Sequence, residues 1–252
     1  MSPRTPAGHG VDPALVEGVE LLCLDAGNTV IFLDHARLAR ACARHGFDAG
    51  LEALVVAEGG AKVALESGEA LDVGWSSGVA GARSWGLVVG TMLNRAGLPS
   101  AGVARVLDAL WAEHRARNFW CRVPPGLGAA LARARAAGVR VAVVSNSEGT
   151  LESVLRDVGI LDAFDLVIDS GLVGVEKPDP GIFRIALERF GVAPSRALHL
   201  GDTYATDVVG ARAAGVRVAL VDPHGHFAGR HADVPRVPGA PEVAEALAQA
   251  RA

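Results

Sequence analysis

Residues 21–32 read LLCLDAGNTVIF. Four apolar residues, Leu21 to Leu24, run into a carboxylate, Asp25. Gly27 and Thr29 follow at alternate positions. A short, unbroken apolar run reads as a strand covered on both faces, because a half-exposed strand would alternate with polar residues. Open parallel sheets bind their ligands beyond the carboxyl ends of the strands. Asp25 stands at such an end.

Four more runs have this character: VRVAVVS at 139–145, FDLVID at 164–169, ALHLG at 197–201 and VRVALVD at 216–222. Helical patterns separate them: PGLGAALARARAAG before the second strand, then GTLESVLRDVG, DPGIFRIALERFG and ATDVVGARAAG. Several end in glycine, a common helix stop. Strand and helix alternate, so the core is expected to be an α/β parallel sheet with right-handed crossovers.

The gap between the first two strands is far longer than one helix. It carries helical stretches at 34–45, 50–67, 83–96 and 101–119 and no strand pattern. Trp75, Trp85, Trp111 and Trp120 all lie in it. Residues 33–121 therefore read as an inserted helical domain, with RVPPG at 122–126 as the return linker. The core is expected over 19–32 and 122–252, with 1–18 as a flexible lead. A Pro-, Gly- and His-rich loop at 223–238 should precede a last helix at about 240–251.

The chain has 252 residues, half of them hydrophobic, and a formal net charge of −4. There is no basic footprint, so no nucleic-acid partner is expected. No apolar run approaches the roughly 20 residues that span a bilayer, and no signal-peptide pattern opens the chain. Cys23, Cys42 and Cys121 form no CxxC pair, which points to a reducing, cytoplasmic setting. Among the 24 basic residues only Lys62 and Lys177 are lysines. Where arginine serves almost every cationic need, those two positions invite a reason.

The predicted strand ends share a chemistry. Asp25 follows the first, Ser145 and Asn146 the second, Glu176 and Lys177 come beyond the third, and Asp202 and Asp207 follow the fourth. An aspartate can attack phosphorus to form an aspartyl-phosphate. Carboxylate and phosphate are both anionic, and Mg²⁺ screens such a pair with hard oxygen ligands. Asp25 and Asp202 would supply those ligands, with Asp207 in or behind them. Lys177 would neutralise phosphate charge, and Thr29 or Ser145 would bond phosphate oxygens.

These motifs resemble the haloacid dehalogenase-like (HAD) hydrolase superfamily, and the resemblance covers almost the whole chain. LDAGNTV matches its first motif at Asp25 and Thr29, VVSNSEG its second at Ser145, GVEKPDPGIF its third at Lys177 and GDTYATD its fourth at Asp202 and Asp207. The resemblance implies a Rossmann-like core with a helical cap inserted after the first strand. It implies a small phosphorylated substrate selected by the cap, and Mg²⁺ held by Asp25, the Gly27 carbonyl, Asp202 and Asp207. Catalysis would rest on Asp25 and Lys177, phosphate binding on Thr29, Ser145 and Asn146.

One position departs from that pattern. Phosphatases of the family carry an acid/base aspartate two residues after the nucleophile; here that residue is Gly27. The departure keeps three other readings open: a dehalogenase-like enzyme, a carbon–phosphorus hydrolase using a cap lysine such as Lys62 as a Schiff base, and a phosphate-binding protein with little turnover. Lys62 on its own reads as a solvated helix lysine. His224, His226 and His231 read as a His-bearing loop rather than a metal site, and the tryptophans as helix packing.

Overall fold

A computed structural model describes residues 10–251 apart from 80, 224, 226 and 228. Two of the loop histidines, His224 and His226, and residues 1–9 of the expected lead lie outside the described residues.

Six strands form one sheet: β1 (Leu21–Leu24), β4 (Arg140–Ser145), β5 (Leu166–Asp169), β6 (Ala197–Gly201), β7 (Arg217–Val221) and β8 (Arg236–Val237). Their spatial order is β5-β4-β1-β6-β7-β8, and every pairing is parallel. Central β1 is buried at all four positions, as its unbroken apolar run requires. Helices cover both faces. On one side lie α1 (Pro13–Val16), α6 (Leu127–Ala136), α7 (Leu151–Asp157) and α11 (Ala240–Gln249), joined to the sheet through Leu131, Leu155 and Leu247. On the other, α9 (Gly181–Phe190) and α10 (Val209–Ala213) pack through Ile182, Phe183 and Ala211. A short α8 (Ser170–Val173) follows β5.

Three differences from the sequence reading have simple causes. β8 lies in the expected 223–238 loop; its two residues are too few to show a period. The insert is joined to the core by an antiparallel ribbon of β2 (Phe32–Leu33) and β3 (Trp120–Arg122), also too short to be legible, where only a linker was expected. The lead is not flexible up to residue 18. Asp12 caps α1 by accepting from Ala14 N at 2.9 Å, and Leu15 and Val16 are buried against the sheet-covering helices.

The insert holds α2 (His35–Arg44), α3 (Leu51–Ser67), α4 (Ala82–Arg95) and α5 (Ser100–Ala116). They enclose a core of their own that includes Leu54, Leu93, Leu107 and Leu110. Trp75, Trp85 and Trp111 meet there with ring centroids 5.0–5.8 Å apart. A Cβ on Gly86 would stand 2.3 Å from the Trp75 ring, so glycine lets that indole lie flat on α4.

Candidate active site

The C-terminal ends of β1, β4 and β6 converge on one group of side chains. Asp25 ends β1, and its N–H donates to Leu200 O at 2.8 Å, which ties it to the neighbouring strand β6. The chain then turns sharply: the N–H groups of Val30 and Ile31 both donate to Ala26 O, and Asn28 adopts a φ of 55° that asparagine tolerates. The Asn28 amide donates to Asp202 Oδ2 at 3.3 Å.

Lys177 Nζ lies 2.5 Å from Asp25 Oδ1 and 2.6 Å from Asp207 Oδ1. Its backbone is gripped by Asn146, whose Oδ1 accepts from Lys177 N at 2.7 Å and whose Nδ2 donates to Lys177 O at 2.9 Å. Asp207 also accepts from His199 Nε2 at 2.9 Å and from Thr203 N at 3.0 Å. A Cβ on Gly201 would fall 2.2 Å from Asp207 Cγ, so only glycine lets β6 end this close to that carboxylate.

The electrostatics follow from burial. Burial pushes the Asp25 carboxyl up to about 7; Lys177 pulls it back, while the charges of Asp207 and Asp202 push with burial. Burial would raise Asp207 too, but Lys177 and His199 outweigh it and hold that carboxyl low. Burial works against the charge on Lys177, and Asp207 and Asp25 together hold its ammonium well above the ordinary range. Buried His199 is pushed down.

Asp25, Asp202 and Asp207 are all buried, and an oxygen from each lies within 4.8 Å of the others. Three converging carboxylates form an oxygen-only donor set of the kind a hard divalent cation takes. They face a cavity of about 440 Å³ between sheet and insert, also lined by Gly27, Ser145, Asn146, Lys177, Trp85 and Trp120. Thr29 is not brought there: its hydroxyl is buried and has no hydrogen-bond partner among the described residues.

A family model described as "haloacid dehalogenase-like hydrolase" matches residues 20–215. The chain belongs to this family. Similar proteins include haloacid dehalogenase-like hydrolase domain-containing protein 3 of Bos taurus, 33% identical over 81% of this chain and 82% of that protein. The mouse protein of the same name is 38% identical over 59% of each chain. A phosphoserine phosphatase of Thermus thermophilus is 40% identical over 52% of this chain, which spans about half (51%) of that enzyme. The fold is shared with a HAD hydrolase of Bacillus subtilis solved with magnesium, with a TM-score of 0.65 at 17% identity over 91% of this chain and 98% of that one. The phosphatase-named relatives and the family model make this HAD chain a hydrolase. Among the described residues no helix is long and apolar enough to cross a membrane.

The HAD cap, as the insert can now be called, meets the core through charged side chains of α3. Lys62 Nζ lies 2.6 Å from Asp202 Oδ2, its side chain only 12% exposed. This corrects the reading of Lys62 as a solvated lysine: α3 turns that face onto the sheet edge. One helical turn on, Glu66 accepts from His231 Nε2 at 3.0 Å and from Arg230 at 3.3 Å. His231 in turn stacks on Tyr204 at 3.8 Å.

At the opposite wall, the imidazole of His114 on α5 accepts from Phe119 N at Nδ1, which leaves the proton on Nε2, 3.9 Å from Glu148 Oε1. Burial pushes His114 down to about 3, and the charges of Arg115 and Arg37 act the same way. Its pKa is thus lower folded than unfolded. The stability this confers is complete above the unfolded pKa near 6.5 and is lost as pH falls from there toward 3. At pH 5 the loss is about 2 kcal/mol. Denaturant unfolding at pH 7 and pH 5 should show a drop smaller by that amount in His114→Gln; an equal drop in both proteins contradicts the assignment.

His199 and Asn28 were not expected at the site, and Lys62 was expected there only under the Schiff-base alternative. His199 left one trace, a polar residue inside the apolar run ALHLG. Asn28 lay within the opening motif as an unremarked neighbour.

Proposed function

We propose that the chain is a Mg²⁺-dependent hydrolase of small phosphate monoesters or acyl phosphates, acting in the cytoplasm through an aspartyl-phosphate at Asp25. The observation that carries this reading is the Lys177 ammonium bridging Asp25 and Asp207 beside Asp202. Asp25, Asp202, Asp207 and the Gly27 carbonyl would hold the ion, which when bound offsets the charge of phosphate and carboxylates.

Asp25 Oδ attacks phosphorus, the bond to the ester oxygen breaks, and its electron pair leaves with that oxygen. Lys177 holds Asp25 in position and offsets charge that is already present before reaction. Ser145, buried at the end of β4, offers its hydroxyl to a phosphate oxygen. Water then attacks the phosphorus of the aspartyl-phosphate and frees Asp25. Both steps need a proton moved, to the leaving oxygen and from the water, and Gly27 offers no group for either. Turnover should therefore be slow on alkyl esters and fastest where the leaving group needs no proton.

Phosphatase-named relatives support this reading. Against an imine at Lys62, burial favours the neutral amine, but Asp202 and Glu58 outweigh it and hold the lysine charged. Phosphate release from a panel of esters and acyl phosphates, with Mg²⁺ or with EDTA, tests the reading. Release that requires Mg²⁺ is expected. Halide release from a haloacid in EDTA, with no phosphate release, would replace it with the dehalogenase reading.

A further inference from the structure

One helix of the cap touches the segment that carries Asp202 and Asp207 on two sides. From within the cavity, Lys62 on α3 reaches Asp202 at 2.6 Å. Asp202, Thr203, Ala205, Thr206 and Asp207 all line that cavity; Tyr204 does not. Its ring lies instead on His231, with centroids 3.8 Å apart and planes 12° from parallel. One turn after Lys62 on the same helix, Glu66 meets His231 Nε2 through both oxygens, at 3.1 and 3.0 Å. Glu66 and His231 line neither the catalytic cavity nor its smaller neighbour.

The loop between β7 and β8 holds its shape by bonds within the core. Asp222, just after β7, accepts from Phe227 N at 3.1 Å and from Arg236 at 3.4 Å. Arg236 on β8 also donates to the carbonyls of Phe227 and Arg230. Phe227 is almost fully buried and meets the His231 ring edge-on at 5.5 Å. His231 itself has a φ of 52°, a left-handed conformation that a non-glycine residue keeps where its surroundings fix it, and such residues gather at functional sites. Arg230 and His231 then converge on one cap carboxylate, Glu66, whose side chain is only 6% exposed.

We infer that His231 is a positioning residue for the segment 202–207, and that Glu66 makes its hold depend on where the cap sits. The chain passes between cap and core only at the β2–β3 ribbon, so side-chain contacts set the seat of the cap. With α3 seated, Lys62 grips the segment from inside the cavity, and Glu66, His231 and Tyr204 grip it from outside. With α3 lifted, Glu66 leaves and His231 loses the partner that pins its ring on Tyr204. Tyr204 opens the wide helical turn Tyr204–Val208, which carries Asp207, and wide turns of this kind are frequent at functional sites. Two bonds close the turn: Asp207 N donates to Thr203 O at 2.9 Å, and Thr203 N to Asp207 Oδ2 at 3.0 Å. These are the bonds that loosen. Seating the cap thus firms the carboxylate cluster through side chains outside the cavity. The inference rests on the hydrolase reading only for its effect on turnover.

Hydrogen exchange of the full chain, read by mass spectrometry on peptides covering 203–208, tests it without substrate or metal. In Glu66→Met exchange there should be about tenfold faster than in wild type, the effect of losing one hydrogen bond to a charged group. Glu66→Gln keeps an oxygen for His231 and should fall between the two. Peptides covering 140–145 in β4 should exchange as in wild type. Tyr204→Leu should also speed the turn, and adding Glu66→Met to it should speed it no further, because the connection is already cut. In the phosphatase assay Glu66→Met should lower kcat more than it raises KM. Wild-type exchange of the turn in Glu66→Met overturns the inference. So does an equal acceleration in β4, or a second full increase when Glu66→Met is added to Tyr204→Leu. Failure of the hydrolase reading would show separately, as no phosphate release by wild type with the exchange coupling intact.

Discussion

Gly27→Asp should raise the phosphatase kcat by about 10²–10⁴-fold, the range that a positioned acid/base supplies. The expectation rests on what surrounds Gly27. A Cβ built there would meet nothing closer than the Trp120 ring at 3.6 Å and Asp25 Oδ2 at 4.0 Å, which is ordinary contact, and the backbone is not in the left-handed region. An aspartate can therefore be accepted without shifting the turn, with its carboxyl entering the cavity that Gly27 lines. The gain should be largest on alkyl esters, whose leaving oxygen most needs a proton, and small on acyl phosphates. Steady-state kinetics on one ester of each kind measure this. Equal gains on both would mean that the new carboxylate acts through charge or metal binding rather than proton transfer. No gain on either would remove Gly27 as the limiting feature.

Lys177→Met should carry the largest loss. The ammonium is almost fully buried and stands 2.5 and 2.6 Å from two carboxylates. Removing one member of a buried charge cluster leaves the others uncompensated, at a cost of about 3–5 kcal/mol. Urea unfolding should show that loss in the absence of metal, and Mg²⁺ should recover part of it by supplying the missing positive charge. The phosphatase rate should fall by about 10²–10³-fold even for the folded, metal-loaded variant, as when one positioned donor is lost from an active site. Wild-type stability in Lys177→Met would show that the cluster is not held by this cation. A wild-type rate would show that the ammonium has no share in catalysis.

The core was legible because its strands and helices are long enough to display a period. VRVAVVS and VRVALVD could be little else, and the insert's four helices followed from apolar spacing. β2, β3 and β8 were not legible: two or three residues carry no period, and they exist through pairing with distant partners. The site divides in the same way. Asp25, Ser145 and Asp202 sit at strand ends, Lys177 and Asp207 lie in the segments that follow β5 and β6, and parallel strands in one register bring these ends together. Thr29 shares the opening motif, yet the turn at Ala26 folds its hydroxyl into the interior. Lys62 was hidden for the opposite reason. Its helix was plain, but which face of α3 meets the sheet depends on how the cap closes, a contact between residues 140 positions apart. The scarcity of lysine hinted at it without saying what it would touch. His199 supports Asp207 from inside a strand, where a polar residue is more readily taken for a packing accident.

The proposed mechanism requires that Asp25 become covalently phosphorylated. A single turnover of an acyl phosphate with Mg²⁺, quenched in acid and followed by peptide mass spectrometry, tests it most directly. A phosphoryl group on Asp25 is expected, absent in Asp25→Asn, which should also have lost turnover. Phosphate release that continues in Asp25→Asn, or turnover by wild type with no phosphoryl group on Asp25, would contradict it.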